Sequence, residues 1–413
     1  MTLSRVFVAN RGEIAVRIVR ACRTLGLETV VGVSDVDRES LAASLADRAV
    51  CIGPARASES YLRADTVVQA AMGTGCDAVH PGYGFLSENP VLAAGARENG
   101  LRFVGPPAEV IELSGDKLRA RQVAADAGLP LVPGREVATA ADARRFADEA
   151  GFPVLLKAAG GGGGRGIKLA EDPASLASLF RVAVAEAGSA FGDDRIYAER
   201  FVRAARHVEV QIAADEHGHV VHLGERDCSV QRRYQKVIEE APAPLLDPAL
   251  RDGLTSAAVA FARSIGYTNL GTVEFMVDAE TGEFFFLEIN CRIQVEHPVT
   301  EEVTGIDLVA EQLSIADGRP LSFTQDDVRF EGHAVECRLT AEDVEQDFRP
   351  SPGRLSRFAV PVMDNLRVDT HCRDGALIPP YYDSLMAKLI GRGPDRAAAV
   401  AVLSEALERL EVE

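Results

Sequence analysis

The first 112 residues alternate strand-like and helix-like segments, and that alternation constrains the fold more than anything else in the sequence. "RVFVAN" leads into "GEIAVRIVRACRTLG", followed by "ETVVGVSD", a helix near Ser40 to Ala46, "RAVCIG", a helix near Ala64 to Met72, and "CDAVHPG". That order predicts a parallel, doubly wound sheet over 1–112, with its loops at the carboxyl ends of the strands. The first turn, "NRGEIAVR", has one glycine where a dinucleotide fold shows G-x-G-x-x-G, so an oxidoreductase loses its main support. "SGDKLRARQVAADAGLP" reads as a single helix stopped by Gly128 and Pro130, a connector over 113–131. A small mixed segment over 132–202 follows. From 203 to 413, short β segments (His207 to Ala213, Val220 to Glu225, Thr272 to Val277, Glu283 to Asn290) mix with helices and predict an α+β domain on an antiparallel sheet.

A chain of 413 residues exceeds one ordinary core and suits two or three domains. Its formal charge of −18 argues against a general nucleic-acid or anionic-membrane binder, although an acidic protein can hold a local basic pocket. Small molecules and proteins are the expected partners. The seven cysteines are scattered and include no CxxC pair, so neither a disulfide framework nor a zinc site is indicated, and a reducing cytoplasm fits. The N-terminus shows no signal-peptide core, and no apolar run is long enough to span a membrane.

In "LLKAAGGGGGRGIKLA", five consecutive glycines, Gly160 to Gly164, divide two strand-like segments. Ordering each glycine costs roughly 0.5–1 kcal/mol relative to alanine, so something must offset the run. A flexible linker is one reading. Against it, "FPVLLKA" and "GIKLA" look like the two strands of a hairpin, which two residues suffice to close. The excess suggests a loop that moves and presents backbone N–H groups to a polyanion, with Lys157, Arg165 and Lys168 at its base. Phosphate is the favoured guest, but this is not a Walker loop: no G-K-[ST] follows and no helix starts there.

"GTVEFMVDAETGEFFFLEINCRIQVEHP" carries the second signal. If "DAETGE" closes a hairpin centred near Thr281, Glu274 and Glu288 fall opposite each other, about 5 Å apart, with Asn290 on the same face as Glu288. The phenylalanines around them make both faces apolar and predict central strands. Two such carboxylates repel unless a cation lies between them, and oxygen ligands beside a phosphate loop point to Mg²⁺ carrying ATP. A solvated strand end is the alternative. Continuing the strand places Arg292, Gln294 and Glu296 at even spacing, a set able to hold a small anion and remove its proton. Arg226, Arg232, Arg233 and Lys236 cluster upstream and Arg338 lies on another strand; each is a solvated charge unless the fold brings them together. His217, His219 and His222 surround a turn and read as surface residues, so no metal is assigned to histidine.

Taken in order, "NRGEIAVRIVRA", "HPGYGFLSEN", "GDK", "KAAGGGGGRGI", "RHVEVQI", "ERDCSVQRRYQKVIEEAPAP", "LEINCRIQVEHPVTE", "GHAVECRL" and "PPYYDSLMAKLI" resemble the biotin carboxylases, the ATP-grasp subunits or domains of biotin-dependent carboxylases. The resemblance covers nearly the whole chain. It implies an α/β and α+β fold: an N-terminal Rossmann-like domain, a glycine-loop lid, and a C-terminal domain that closes with the lid over ATP. By position it implies nucleotide contacts at Lys117, Lys157, Gly163, Gly164, Glu199, Arg200, Phe201, Val202, His207 and Tyr234, with Glu274, Glu288 and Asn290 as ligands of Mg²⁺–ATP, for which Mn²⁺ can substitute. It implies a bicarbonate cradle of Lys236, Arg292, Gln294 and Val295, Glu296 as general base, Arg338 as the group that meets biotin's developing enolate, and Tyr83 near that acceptor.

The implied activity is ATP- and bicarbonate-dependent carboxylation of biotin through carboxyphosphate, the first half-reaction of systems such as the acyl-CoA carboxylases of fatty acid metabolism. No "AMKM"-like biotinylation motif is present, so the resemblance implies biotin on a separate carrier protein or domain, a carboxyltransferase partner, and a homodimer. The final acyl acceptor is not legible. Tyr234, Cys291 and Arg200 stand where many members carry His, Thr and Lys, and "LERLEVE" stops about thirty residues before the family's usual end, so final helices of the C-terminal domain are expected to be missing. Two classes compete with this reading: a non-catalytic subunit for nucleotide binding or assembly, and a different ATP-grasp ligase joining a carboxylate to an amine.

Overall fold

The computed structural model describes residues 2–159 and 166–413. The glycine run, with Gly163 and Gly164, and Arg165 lie outside the described residues. The N-terminal alternation folds as read: strands β1 (Arg5–Val8), β2 (Glu28–Ser34), β3 (Arg48–Gly53), β4 (Ala78–His80) and β5 (Arg102–Phe103) form a parallel sheet in the order β3-β2-β1-β4-β5. The helix Gly12–Thr24 packs Ile14, Ile18 and Val19 against one face, and Phe7, Val30 and Val79 fill the other. The order reverses beside β1, which puts the loops after β1 and β4 at the switch point of the sheet, where such folds bind ligands.

The connector is two helices, Ala108–Gly115 and Lys117–Asp126, rather than one. Asp116 is responsible: its backbone is extended and its carboxylate accepts from the N–H groups of Leu118 and Arg119, so it caps the second helix where a continuous helix would run through. Next come β6 (Gly134–Val137), β7 (Val154–Ala158), β8 (Ile167–Ala170) and β9 (Ile196–Arg200), an antiparallel sheet in the order β6-β9-β7-β8. β7 and β8 pair from Val154–Ala170 to Lys157–Ile167, so the strands flanking the glycine run are the expected hairpin. Lys168 is tied to Glu186, 2.8 Å away, rather than turned toward the run.

The largest layer is an eight-stranded, wholly antiparallel sheet. Its strands are β10 (Ala205–Ala214), β11 (Val220–Arg232), β12 (Gln235–Ala241), β13 (Asn269–Asp278), β14 (Phe284–Asn290), β15 (His333–Thr340), and two more at Leu366–Thr370 and Leu385–Gly393. The order is β14-β13-β10-β11-β12-β15, then Leu385–Gly393, then Leu366–Thr370. β14 is therefore an edge strand and not a central one. The phenylalanines that suggested otherwise are explained by what covers that edge: Phe286 N donates to Pro130 O at 2.8 Å, and the helix Pro248–Ser264 lays Phe261 on Phe286 with ring centroids 4.9 Å apart.

One charge is sealed in the middle of this sheet. Arg226, fully buried on β11, donates to Glu209 Oε1 (2.6 Å), Gln211 Oε1 (2.7 Å), Thr300 Oγ1 (2.9 Å) and Thr272 Oγ1 (3.1 Å), tying three strands to the helix His297–Thr304. Replacing it by Met removes every one of those donors and strips a buried carboxylate of a partner. Breaking a buried pair in this way costs about 3–5 kcal/mol. Denaturant unfolding of Arg226→Met should show that loss at unchanged m-value.

Candidate active site

Four neighbouring strands hold a row of side chains at one level. Glu288 on β14 stands opposite Glu274 on β13, Glu274 opposite Glu209 on β10, and Glu209 opposite Arg226 on β11. The Glu274–Glu288 pairing is the one read from the hairpin. Closer to the turn the register slips by one at Leu287, a bulge that the symmetric reading does not contain.

Glu209 and Glu274, side by side in this row, are joined by Glu296 from outside it, and three carboxylates so close repel and need a cation among them. Lys236 supplies it from β12: its Nζ lies 2.6 Å from Glu209 Oε2, 2.9 Å from Glu274 Oε1 and 2.7 Å from Glu296 Oε1. Burial favours the neutral amine, yet the three carboxylates override it and hold the ammonium's pKa well above its usual value. His207 Nε2 lies 2.9 Å from Glu274 Oε2, and the net effect of burial, which opposes its charge, and of Glu274, which favours it, is upward. Two sets of ligand-type side chains approach each other here, His207 with Glu209 and Glu274, and Glu209 with Cys228 and Glu296. Lys236 already sits among both sets as the balancing cation.

Arg292, Gln294 and Glu296 do converge, although not on a strand face as expected. β14 ends at Asn290 because Glu88, in the loop after β4, accepts from Cys291 N (3.1 Å) and from Arg292 Nε (2.9 Å), and Pro298 then sets the first turn of the helix His297–Thr304. Through this turn Arg292 donates to Gln294 Oε1 (3.0 Å) and Asn290 Oδ1 (3.1 Å). Glu296, 1% exposed, meets Lys236 on one side and Arg338 Nη2 (2.9 Å) on the other. Burial pushes its pKa upward, but Lys236, Arg338 and Arg226 together hold it well below the ordinary carboxylate range. Gln294 Nε2 is buried without a protein acceptor, a donor free for an anion in the same place. Val295 O accepts from the buried Lys388 (2.8 Å), which pairs with Glu13 (3.0 Å), and Glu13 accepts the Tyr83 hydroxyl.

Glu274, Glu288 and Asn290 fit a hard divalent cation. All offer oxygen, Asn290 Nδ2 braces Glu274 Oε1 at 2.9 Å, and Glu288, half exposed, has only Lys117 Nζ at 3.6 Å nearby. Desolvation by the strands and side chains packed around it, and then repulsion from Glu274, push the Glu288 carboxyl upward even though its side chain is 40% exposed. Of the remaining expected residues, Lys157 pairs with the buried Glu199 near the end of β9, where Glu199 also meets Arg121, a residue the sequence reading did not single out. Arg200 lies over Phe285, 5.4 Å from the ring centroid, and Val202 packs with Val132 and Phe285, so 199–202 connects the small sheet to the large one. Phe201 is half-buried and its N–H donates to Pro153 O at 3.3 Å.

Tyr234 is not brought to the carboxylates. It occupies, with Arg233, the two-residue turn joining β11 to β12, both residues at positive φ, and is 67% exposed. The upstream basic cluster is split, because the register of β11 against β12 shifts between Asp227 and Gln231: Arg226 and Lys236 turn inward, whereas Arg232 pairs with Glu342 and Arg233 with Asp347. Glu209, Glu88, Glu13, Glu239 and Lys388 escaped the sequence reading. The apolar Val208, Val210 and Ile212 leave His207, Glu209 and Gln211 as a polar face, but only the adjacency of β10 and β13 places Glu209 beside Glu274.

Three family models account for the chain: biotin carboxylase, N-terminal domain, over 2–111; carbamoyl-phosphate synthase L chain, ATP binding domain, over 116–324; and biotin carboxylase C-terminal domain over 336–413. Biotin carboxylases of a Nostoc species and of Pseudomonas aeruginosa are each 49% identical over 100% of this chain and 92% of theirs. The chloroplastic biotin carboxylase of Arabidopsis thaliana is 47% identical over 98% of this chain and 75% of its own. Among solved structures, the Campylobacter jejuni biotin carboxylase in complex with β,γ-ATP superposes with a TM-score of 0.95 at 42% identity, covering 100% of this chain and 92% of that one. The biotin carboxylase domain dimer of Hydrogenobacter thermophilus 2-oxoglutarate carboxylase, solved with MgADP, ADP and bicarbonate, gives 0.94 at 44% identity, covering 100% and 91%. The fold is that of the ATP-grasp biotin carboxylases, and the chain belongs to the biotin carboxylase family.

Proposed function

We propose that this chain carboxylates biotin, held on a carrier protein or domain, using ATP and bicarbonate. The observation that carries the proposal is Glu296, ionised and buried between Lys236 and Arg338, with Arg292 and the Gln294 amide nitrogen, which has no acceptor among the described residues, close by in the preceding turn. That arrangement offers a small anion two or three cationic or N–H donors and, beside them, a carboxylate able to take its proton. Glu296 is a weak base while both cations hold it. An anion that draws Lys236 or Arg338 toward itself raises the basicity of Glu296 at the moment it is needed.

In this reading Glu296 removes the proton of bicarbonate, whose oxygen then attacks the γ-phosphorus of ATP to give carboxyphosphate and ADP. Lys117 and Lys157 neutralise phosphate charge, and Glu274, Glu288 and Asn290 would hold Mg²⁺, which would supply further positive charge to the transferring phosphoryl group. Residues 132–202 act as the lid, and the glycine run, with Gly163 and Gly164, is its phosphate loop. Glu199, Arg200, Phe201, Val202 and His207 border the nucleotide, with Tyr234 at most at its outer margin. Carboxyphosphate breaks down to CO₂ and phosphate, phosphate takes the ureido proton of biotin, and Arg338 stabilises the charge left on biotin's oxygen. Tyr83, fixed by Glu13, lies toward that acceptor. A biotin carrier and a carboxyltransferase are the partners this chemistry needs, and a homodimer is the expected assembly. No helix among the described residues is long and apolar enough to cross a membrane.

ADP release by the purified chain should require bicarbonate and rise with free biotin. Glu296→Gln should lower bicarbonate-dependent turnover by about 10²–10⁴-fold, the usual contribution of a general base, with ATP affinity nearly unchanged. Glu288→Gln, which removes one of two opposed carboxylates, should raise the Mg²⁺ concentration for half-maximal turnover at least about tenfold while leaving Tm at or above that of the parent, because the repulsion with Glu274 disappears.

A further inference from the structure

Behind Arg338 stand two carboxyl groups that the mechanism does not use. Glu239 on β12 and Glu336 on β15 are cross-strand partners, both 0% exposed. Side chains so paired have Cβ atoms about 5 Å apart, within reach of one hydrogen bond. Glu239 Oε1 accepts from Arg338, at 2.7 Å from Nε and 2.5 Å from Nη2. Among the described residues, Glu239 Oε2 and both oxygens of Glu336 have no hydrogen-bond partner. Ionised carboxylates only accept, so two of them facing each other cannot satisfy one another. A single added proton creates the missing donor, and one O–H···O⁻ bond then serves both groups.

We propose that Glu239 and Glu336 share one proton across the strands, and that this pair is the fixed anchor that keeps Arg338 aimed into the site when Glu296 takes up a proton. The second half rests on the function proposed above. Arg338 bridges two carboxylates, and one of them, Glu296, becomes neutral when bicarbonate gives up its proton. Glu239, bound through two nitrogens, retains the guanidinium while its outer edge is released toward biotin. Glu239 and Glu336 act through Arg338 and are positioning residues.

The charges around the pair agree with a shared proton. Arg338 on β15 and Lys236 on β12 face Glu239, Lys388 on the adjoining strand and Arg338 face Glu336, Glu296 adds negative charge, and the thiols of Cys228 and Cys337 lie within its field. Burial, opposed chiefly by Arg338, lifts the Glu239 carboxyl from 4.5 to about 7, and burial lifts Glu336 well above its ordinary value. A group with a raised folded-state pKa binds a proton that the unfolded chain has released, so its stabilising effect is complete below about pH 4.5 and is lost as pH rises toward 7 and beyond.

Three measurements on the full chain test this. Glu336→Gln supplies a permanent N–H donor to Glu239, so its Tm should match the parent near pH 5.5 and exceed it by about 2 °C or more at pH 8.5. The parent's infrared spectrum near pH 6 should contain a protonated-carboxyl C=O band that is missing in Glu336→Gln. Glu239→Gln should lower biotin-stimulated turnover at least tenfold, and by several-fold more than it lowers bicarbonate-dependent ATP cleavage without biotin, with Glu239→Asp partly restoring it. A Tm difference independent of pH, or no protonated-carboxyl band, overturns the shared proton. Equal loss of both partial reactions in a folded Glu239→Gln, or loss of neither, overturns the anchor; if that variant does not fold, Glu239→Asp decides by the same split. A parent chain without bicarbonate-dependent turnover sinks the functional reading instead, and leaves the melting and infrared tests standing.

Discussion

The site depends on one ammonium group. Lys236 Nζ lies within 2.9 Å of carboxylate oxygens from Glu209, Glu274 and Glu296, which reach it from two neighbouring strands and a helix terminus. Without it, three buried or nearly buried anions would share a space of a few ångströms, an arrangement no protein tolerates without protonating one of them. With it, Glu274 and Glu296 are held below the ordinary carboxylate range. Each of the three has a separate second partner: Glu209 locks Arg226, Glu274 stands opposite Glu288, and Glu296 meets Arg338; in the function proposed above the Glu274–Glu288 pair holds a cation and Glu296 accepts a proton.

The same interaction links the Glu274–Glu288 end of the site to the Glu296–Arg338 end. Glu274 answers to Glu288, Asn290 and Lys117 on one side, and Glu296 to Arg338 and Glu239 on the other, with Lys236 common to both. A ligand that shifts Lys236 toward itself therefore changes the basicity of Glu296 and the charge balance of Glu274 together. The N-terminal sheet joins this network through two loops at its switch point: Glu88 fixes Arg292, and Tyr83 with Glu13 and Lys388 fixes the carbonyl of Val295. A site assembled in this way is complete only when the parallel and antiparallel sheets are docked.

Much of this was legible in the sequence because it depends on local period. Alternation of strand and helix gave the parallel sheet, and counting outward from Thr281 gave the Glu274–Glu288 pair despite the bulge at Leu287. What failed was long-range. β14 looked central because both its faces are apolar, yet a helix and the Pro130–Leu131 segment, not strands, cover its edge. Arg292, Gln294 and Glu296 fit a strand's even spacing, and nothing nearby in the sequence announces that Glu88, some two hundred residues earlier, ends that strand. Glu209 and Glu239 look like ordinary polar positions of half-buried strands until the strand order sets them beside Glu274 and Glu336. The family resemblance named most of the residues that converge here, but not the carboxylates that hold those residues in place.

In the proposed function the pocket around Glu296 activates bicarbonate as a nucleophile toward ATP. Bicarbonate labelled with ¹⁸O tests it most directly, because attack on the γ-phosphorus leaves one bicarbonate oxygen on phosphate when carboxyphosphate breaks down. The account predicts ¹⁸O in the inorganic phosphate released with ADP, and its loss in Glu296→Gln. Phosphate formed at the same rate with oxygen drawn only from water would contradict it.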